Sequence, residues 1–363
     1  MHYLPINQVK AGMILGRDMY DFTDKILLHR GKALTEHLIL RLQDYGYQGV
    51  YIDDELTNDL EIEEIISMEL RTKALAAIQE LDVDGVRDIA KEIVDSILQT
   101  GTVSLDMIDL RSFDDYTYYH SLNVAVLATI IGMGMEYSED DLQALCIAGM
   151  FHDIGKQFIP QEIINKPGKI TPEEFAIIKE HPQKSYDFLS DRLDITSNIK
   201  MGVLCHHENE DGTGYPLGLT GDKIHPFAKI LHVVDVYDAL SSKRPYKKAY
   251  ARSEALEYLM GGSMSMFDES VINVFMKYVP IYPRGMGVIL SDGREGVICE
   301  NNKGSSLRPR IRLVNGEEID LMDVERYSTL TILKQHDEEA LTAEEIERIE
   351  QERKDLNEQL RTR

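Results

Sequence analysis

The sequence predicts a mainly α protein. A mostly helical central region follows a small α+β module at the N-terminal end and precedes a small β module near the C-terminal end. Two observations carry this reading. Apolar residues recur at helical spacing through most of residues 56–280. Short β-type runs punctuated by glycine occupy both flanks, and the turn signals Ser291-Asp292-Gly293 and Asn315-Gly316 separate the later ones. A chain of 363 residues is long enough for one large domain with attachments, or for two to three modest ones.

Taken in order, residues 1–55 mix β-type runs at 13–15, 26–28 and 50–52 with Gly12, Gly31 and Gly49, and one helical pattern spans 34–45. This is the α+β module. Residues 56–104 are acidic. They place Ile62, Ile65, Ile66 and Leu70, then Ile89, Ile93, Val94 and Ile97, at amphipathic helical spacing, with Gly101 as a C-terminal stop. Residues 105–282 read as mostly helical, broken by Pro160, by Pro167-Gly168 and by the glycine-rich segment 212–221. Thr171-Pro172-Glu173-Glu174 has the form of a helix start, with a capping threonine, proline at the first position and glutamate at the third.

From 283 to 335 the period changes. Val288-Ile289-Leu290, Gly296-Val297-Ile298-Cys299, Arg310-Ile311-Arg312-Leu313-Val314 and Leu330-Thr331-Ile332-Leu333 are short β-like runs. Residues 336–363 open with the capping box Thr342-Ala343-Glu344-Glu345 and continue as a highly charged helix. Its thin stripe of Ile346, Ile349, Leu356 and Leu360 fits a solvated helix or a homodimer seam, and the helices of 56–104 offer a second dimer surface. No internal repeat is present.

The formal net charge of −24 argues against large nucleic acids and anionic membranes as partners. A small anionic ligand remains compatible, because bound cations can outweigh a diffuse acidic surface. Three cysteines, Cys146, Cys205 and Cys299, with no CxxC spacing, read as reduced thiols of a cytoplasmic protein. The first residues lack the pattern of a signal peptide, and the apolar stretch 122–135 is too short to span a bilayer.

The chemistry concentrates in one ordered set. His120, His152-Asp153, His181, His206-His207 and Asp235 supply five imidazoles and two carboxylates. That mixture suits borderline metals such as iron, manganese or zinc. Seven ligands exceed one tetrahedral ion and suffice for two ions sharing a carboxylate, for which Asp153 is the choice. Adjacent residues on a helix point about 100° apart, so His152 and Asp153 converge on one ion only at a helix end, and Ile154-Gly155 suits such an end. Two neighbouring imidazoles, His206 and His207, diverge and can serve different ions. Isolated histidines are more often ordinary, and His2, His29, His37, His225 and His336 are placed there. His232, in an apolar run, is either a core residue or a donor behind the ligands.

Lys156 follows His152 by about a turn and is the candidate donor to phosphate oxygens, with Gly155 before it allowing close approach of substrate. Asp211-Gly212-Thr213-Gly214-Tyr215-Pro216 is either a turn cluster or a lid that sets Tyr215 against a base or sugar. Arg244-Pro245-Tyr246-Lys247-Lys248 is a basic patch in an acidic chain, and Arg244 offers a planar fork for phosphate or guanine.

With His181-Pro182, Glu208 after the histidine pair, Gly214-Tyr215-Pro216, and Asp235-Val-Tyr-Asp238-Ala-Leu leading to Arg244-Pro-Tyr-Lys247, this set resembles the signature of the HD-GYP subfamily of HD-domain phosphohydrolases over residues 105–280. The resemblance implies an all-helical HD-type catalytic domain that hydrolyses cyclic di-GMP to linear pGpG and often to GMP, with an iron or manganese centre. It implies His120, His152, Asp153, His181, His206, His207 and Asp235 as metal ligands. Asp153 and Lys156 are then catalytic, and Lys156, Tyr215, Asp238, Arg244 and Lys247 contact substrate. In some members of that subfamily a glutamate one turn before the first histidine binds a third ion. Tyr116 stands there, so two divalent ions are expected, with a bridging hydroxide as the attacking group. Glu208 is expected to support the site rather than ligate. A non-catalytic cyclic dinucleotide receptor and a phosphohydrolase of another cyclic dinucleotide are the alternatives.

Overall fold

The computed structural model describes residues 1–20, 25–47, 49–62, 65–100, 116–166, 168–242, 250–302 and 304–335. Gly101, the basic patch with Arg244 and Lys247, and the C-terminal charged helix lie outside the described residues.

The first strands are β1 (His2–Pro5), β2 (Ile14–Leu15), β3 (Met19–Tyr20), β4 (Ile26–Leu28) and β5 (Gly49–Asp53). An antiparallel sheet runs in the order β1-β5-β2, with His2 opposite Ile52, and β3 pairs with β4. Between them α1 (Glu36–Asp44) starts at Thr35, whose hydroxyl accepts from Leu38 N–H. Its buried face, Ile39 and Leu42, joins Leu4, Leu15, Leu34, Val50 and Ile52 in one small core. Strand β1 is absent from the sequence reading because it depends on pairing with residues about fifty positions away.

Ile62, Ile65 and Ile66 were expected on a helix. They are buried but precede it, because Ser67 caps α2 (Met68–Gln79) and accepts from Leu70 N–H. Helix α3 (Val83–Thr100) packs beside it and buries Ile89, Ile93, Val94 and Ile97.

The helical centre holds α4 (Tyr116–Gly134), α5 (Glu139–Phe151), α6 (Gln161–Ile164), α7 (Pro172–Ile178), α8 (His181–Ser190), α9 (Ser197–Cys205), α10 (Pro226–Ser241), α11 (Arg252–Gly261) and α12 (Glu269–Tyr278). Residues 122–131 of α4 are buried on every side, so this helix lies in the core and has no polar face. It packs against α5 and α10. Ser138 caps α5, and three acids in its first turn, Glu139, Asp140 and Asp141, suit the positive end of the helix dipole. The capping box at Thr171 and Glu174 forms as expected. Among the described residues, no helix is long and apolar enough to cross a membrane.

After α12 come β6 (Gly287–Leu290), β7 (Glu295–Glu300), β8 (Arg310–Leu313), β9 (Glu318–Asp320), α13 (Val324–Tyr327) and β10 (Ile332–Gln335). The strands form an antiparallel sheet in the order β10-β6-β7-β8-β9. Gly293 and Gly316 take positive φ of 86° in the turns, as the hairpin signals require. The two flanking sheets meet each other. Tyr3 bridges Met286, and Arg312 on β8 holds Asp59 and the Leu56 carbonyl. Residues of both sheets, Tyr3, Tyr51, Val288 and Ile298 among them, share one core with α4, α5 and α10.

Candidate metal centre

Five of the seven side chains stand at helix ends, where the backbone lets them turn inward. Helix α5 ends at Phe151. His152 keeps helical dihedrals (φ −56°, ψ −38°), while Asp153 departs to φ −102°, ψ 0°. The two side chains can then point into one space, which a continuous helix would forbid. His206 and His207 follow the end of α9, and His181 opens α8. His120 lies in the second turn of α4, and Asp235 sits mid-helix on α10.

These seven residues come together. Six of them are at most 7% exposed, and His207 is partly buried. The carboxylates divide the imidazoles into two groups. Asp153 Oδ2 lies 3.5 Å from His152 Nε2 and 3.7 Å from His120 Nε2, while its Oδ1 lies 3.2 Å from His181 Nε2 and 4.0 Å from His206 Nε2. Asp235 repeats the division. Its Oδ1 is 2.9 Å from His120 Nε2 and 3.9 Å from His152 Nε2, and its Oδ2 is 3.9 Å from His207 Nδ1.

The rings are aimed from behind. The Nδ1–H groups of His152, His181 and His206 donate to the carbonyls of Gly149, Ile178 and Val203 at 2.7, 2.8 and 2.7 Å. Each bond fixes the tautomer and leaves an Nε2 lone pair facing the cluster. Ser185 adds a staple. Its hydroxyl donates to the His152 carbonyl at 3.0 Å and accepts from Gly155 N–H at 2.8 Å. Gly155 is required for packing, because a Cβ there would lie 2.0 Å from the His181 carbonyl oxygen. The sequence reading assigned that glycine to close approach of substrate. What approaches it is the first turn of α8.

The charge states suit a cation. Burial opposes ionisation of Asp153 and Asp235. Lys156 and His152 outweigh it for the first, and His120 for the second, so both carboxyls sit well below their usual range. Burial holds His152 below its ordinary value, and burial with neighbouring imidazoles does so more strongly for His206 and His207. His120 is the exception: burial lowers it, but the hydrogen bonds to Asp235 and Asp238 prevail and raise it to about 9. Two anions beside neutral imidazoles are the protonation states a metal demands.

The cluster also passes a direct test of fit. His152 Nε2 and Asp153 Oδ1 are buried without a hydrogen-bond partner. Such orphaned atoms are costly unless something else fills the role. Three-residue sets able to hold an ion occur as His120-His152-Asp153, His152-His206-Asp235 and His181-His206-His207.

Around the cluster, the Lys156 ammonium rests on Asp153 Oδ2. Tyr215 stacks on His207, with ring centroids 4.7 Å apart and planes at 29°, and burial pushes its phenol upward so that it remains a donor. Gly214 lets the loop fold back, since a Cβ there would lie 2.3 Å from Asn209 N. Glu208 turns away from the cluster. Its two carboxylate oxygens accept from Leu217 N–H at 2.7 Å and Leu219 N–H at 2.9 Å. His232 donates from Nδ1 to the Glu208 carbonyl at 2.7 Å, and so braces the same loop.

Asp238 was expected on the pocket wall. The structure places it behind His120, where it accepts from Nδ1–H at 2.7 Å and from Asn123 Nδ2 at 2.9 Å. It is buried there, and both its oxygens are engaged. Asn123 and Ser185 were missed in the sequence. The available signal was their spacing, three residues after His120 and four after His181, which puts them on the same helix faces as those ligands. The Tyr116 side chain is outside the described residues.

Comparison with known proteins gives the family of the chain. The family model described as HD domain matches residues 103–271. A cyclic di-GMP phosphodiesterase of Pseudomonas aeruginosa, PA4108, is 32% identical over 85% of this chain and 84% of its own length. A 3'3'-cGAMP-specific phosphodiesterase of Vibrio cholerae is 30% identical over 51% of this chain and 42% of its own length. Among solved structures, Bd1817, a HDG"Y"P protein from Bdellovibrio bacteriovorus, is 18% identical, with a TM-score of 0.47 over 75% of this chain and 97% of its own. The chain belongs to the HD-domain phosphohydrolases, in their HD-GYP subfamily.

Proposed function

We propose that this chain is a metal-dependent phosphodiesterase that opens cyclic di-GMP to linear pGpG, with GMP as a further product. The observation that carries the reading is the convergence of five imidazoles and two carboxylates, six of them buried, with His152 Nε2 and Asp153 Oδ1 lacking a hydrogen-bond partner. The relatives supply the substrate class, because PA4108 bears the name cyclic di-GMP phosphodiesterase.

In this reading His120, His152, His181, His206, His207 and Asp235 would hold two divalent ions, with Asp153 as the carboxylate they would share. Iron and manganese both match imidazole and carboxylate donors. When bound, such a pair acidifies a water molecule and polarises the phosphoryl oxygens of an in-line displacement. The protein's own contribution is position and charge. Asp153 is held ionised between the two histidine groups, and Asp238 keeps the His120 ring in register. Lys156 moves from Asp153 to a non-bridging phosphate oxygen as charge builds there. The protonated phenol of Tyr215 faces the substrate mouth, and Arg244 and Lys247 bind the nucleotide. Catalysis takes place in the cytoplasm.

The second reading, hydrolysis of a mixed cyclic dinucleotide, is favoured by the likeness to the cGAMP-specific relative. One experiment separates these readings. Protein prepared anaerobically and analysed for iron and manganese is given cyclic di-GMP, cyclic GMP-AMP and cyclic di-AMP, and products are resolved by chromatography. Turnover of cyclic di-GMP above the others is expected. Fully loaded protein that binds cyclic di-GMP and leaves all three intact is a receptor.

A further inference from the structure

The segment after the histidine pair lies along α10 in a fixed register. Three residues of that helix, each three apart and so neighbours on its surface, meet the segment in reverse order. Asp235 Oδ2 faces His207 Nδ1 at 3.9 Å, His232 Nδ1 donates to the Glu208 carbonyl at 2.7 Å, and Lys229 Nζ lies 3.0 Å from Glu210 Oε1. The last of these rungs is outside the cluster. There Lys229 also donates to Asp268 Oδ2 at 2.9 Å, and Asp268 caps α12 by accepting from Ser270 and Val271 N–H. The lysine side chain is 13% exposed and that of Glu210 14%. We propose that Lys229 is a positioning residue: through Glu210 it holds the loop that carries Tyr215 in register with the cluster, and so supports substrate binding. This inference rests on the cyclic dinucleotide reading above.

Three observations support it. Glu210 is the neck of the loop. Gly221 N–H donates to its carbonyl at 3.1 Å, so residues 211–220 leave and return at this point. From the neck the loop folds back on the ligands: Tyr215 N–H donates to the His207 carbonyl at 3.1 Å, and the Tyr215 ring stacks on that of His207. A shift at Glu210 therefore reaches Tyr215. The second observation is electrostatic. One ammonium neutralises two carboxylates that are largely withdrawn from water, and removing it would leave both without that charge, which is costly. Third, the far side of the clamp is anchored. The residue before Asp268, Phe267, sets its ring edge-on to His232, with centroids 4.9 Å apart and planes at 86°. Glu210 N–H and Asp211 N–H reach the Met266 and Ser265 carbonyls at 3.3 and 2.9 Å. The turn before α12 thus backs the two outer rungs and the neck together. A lysine that served only the start of α12, through Asp268, would leave the loop indifferent to it, and experiment can tell the two roles apart.

The test compares the metal-loaded full chain with Lys229→Met, which keeps the stem and removes the charge, Lys229→Arg, which restores charge, Glu210→Gln and Asp268→Asn. Amide hydrogen exchange over residues 211–221 is followed by mass spectrometry on the free protein. KM and kcat for cyclic di-GMP come from product chromatography, and Kd from calorimetry. Lys229→Met is expected to speed exchange in that segment roughly tenfold. It should raise KM and Kd roughly fivefold, with kcat within about twofold, and Lys229→Arg should recover most of both losses. Glu210→Gln, which leaves the Lys229–Asp268 pair intact, should reproduce these changes, and combining it with Lys229→Met should add little. Asp268→Asn should lower the melting temperature and leave exchange and KM close to those of the parent. If Lys229→Met does not fold, Glu210→Gln decides: parental exchange in that variant overturns the proposal. An effect of Asp268→Asn on the loop as large as that of Glu210→Gln overturns it too, as does a fall in kcat at constant KM. If the parent neither binds nor cuts cyclic di-GMP, the nucleotide reading fails alone, and exchange over the loop still judges Lys229.

Discussion

Asp153 Oδ1 lies 3.2 Å from His181 Nε2, on the opposite side of the carboxylate from Lys156, which holds Oδ2. One side chain thus touches both halves of the imidazole cluster and the only lysine the site brings onto a carboxylate among its described residues. Replacing it removes the shared donor and leaves Lys156 facing a ring of histidines. Asp153→Ala should lose bound metal and abolish turnover of cyclic di-GMP. Elemental analysis and product chromatography on protein free of contaminating enzyme measure both. Normal turnover by that variant would end the bridging assignment.

His120 gives the metal-free protein a pH signature. Its folded value of about 9 lies above the ordinary 6.5, because Asp235 and Asp238 bind the imidazolium against the cost of burial. A raised value means that the stabilisation is complete below 6.5 and is lost as pH rises through about 9. The melting temperature of metal-free protein should therefore fall across that window, and His120→Asn should flatten the fall. Metal must displace the proton on Nε2, so loading near pH 7.5 should release close to one proton from this residue. An indicator dye in weak buffer reads the release. Identical release from parent and His120→Asn would contradict it.

How much of this was legible depended on how locally each residue is controlled. His152-Asp153 could be read because converging neighbours need a helix end, and Ile154-Gly155 marks one there; His206-His207 reads from sequence only as a diverging pair, and the structure puts the end of α9 at it. Asp238 could not be read this way. On α10 it lies three residues beyond Asp235, and whether it faces a pocket or another side chain is decided by His120, 118 residues away. The Ile62 to Ile66 spacing looked helical, but a capping serine at 67 sets the helix start more strongly than apolar periodicity does.

Gly155 couples the metal turn to packing. The atoms that a Cβ would meet are backbone, the His181 carbonyl at 2.0 Å and Ser185 N at 2.8 Å, and neither can swing aside. Gly155→Ala must push α8 away from the turn, and overpacking of this kind costs about 1–3 kcal/mol. Because His181 opens α8, the same shift draws its imidazole from Asp153. The melting temperature should drop by several degrees and metal occupancy should fall with it, by calorimetry and elemental analysis. A variant with parental melting and full occupancy would show that the contact is not tight.

Glu208 follows two histidines of the cluster, yet its carboxylate serves the loop that carries Tyr215. It accepts from Leu217 and Leu219 N–H groups while buried. Glu208→Ala leaves both amides without that acceptor, a loss of about 1–3 kcal/mol for a buried group. The loop then opens before the metal centre does, because no ligand is touched. KM for cyclic di-GMP should rise by roughly an order of magnitude, with metal content unchanged. Glu208→Gln, which keeps one strong acceptor, should fall between the two. If Glu208→Ala instead lost metal in step with activity, Glu208 would have to act on an ion, and the loop-holding role would be wrong.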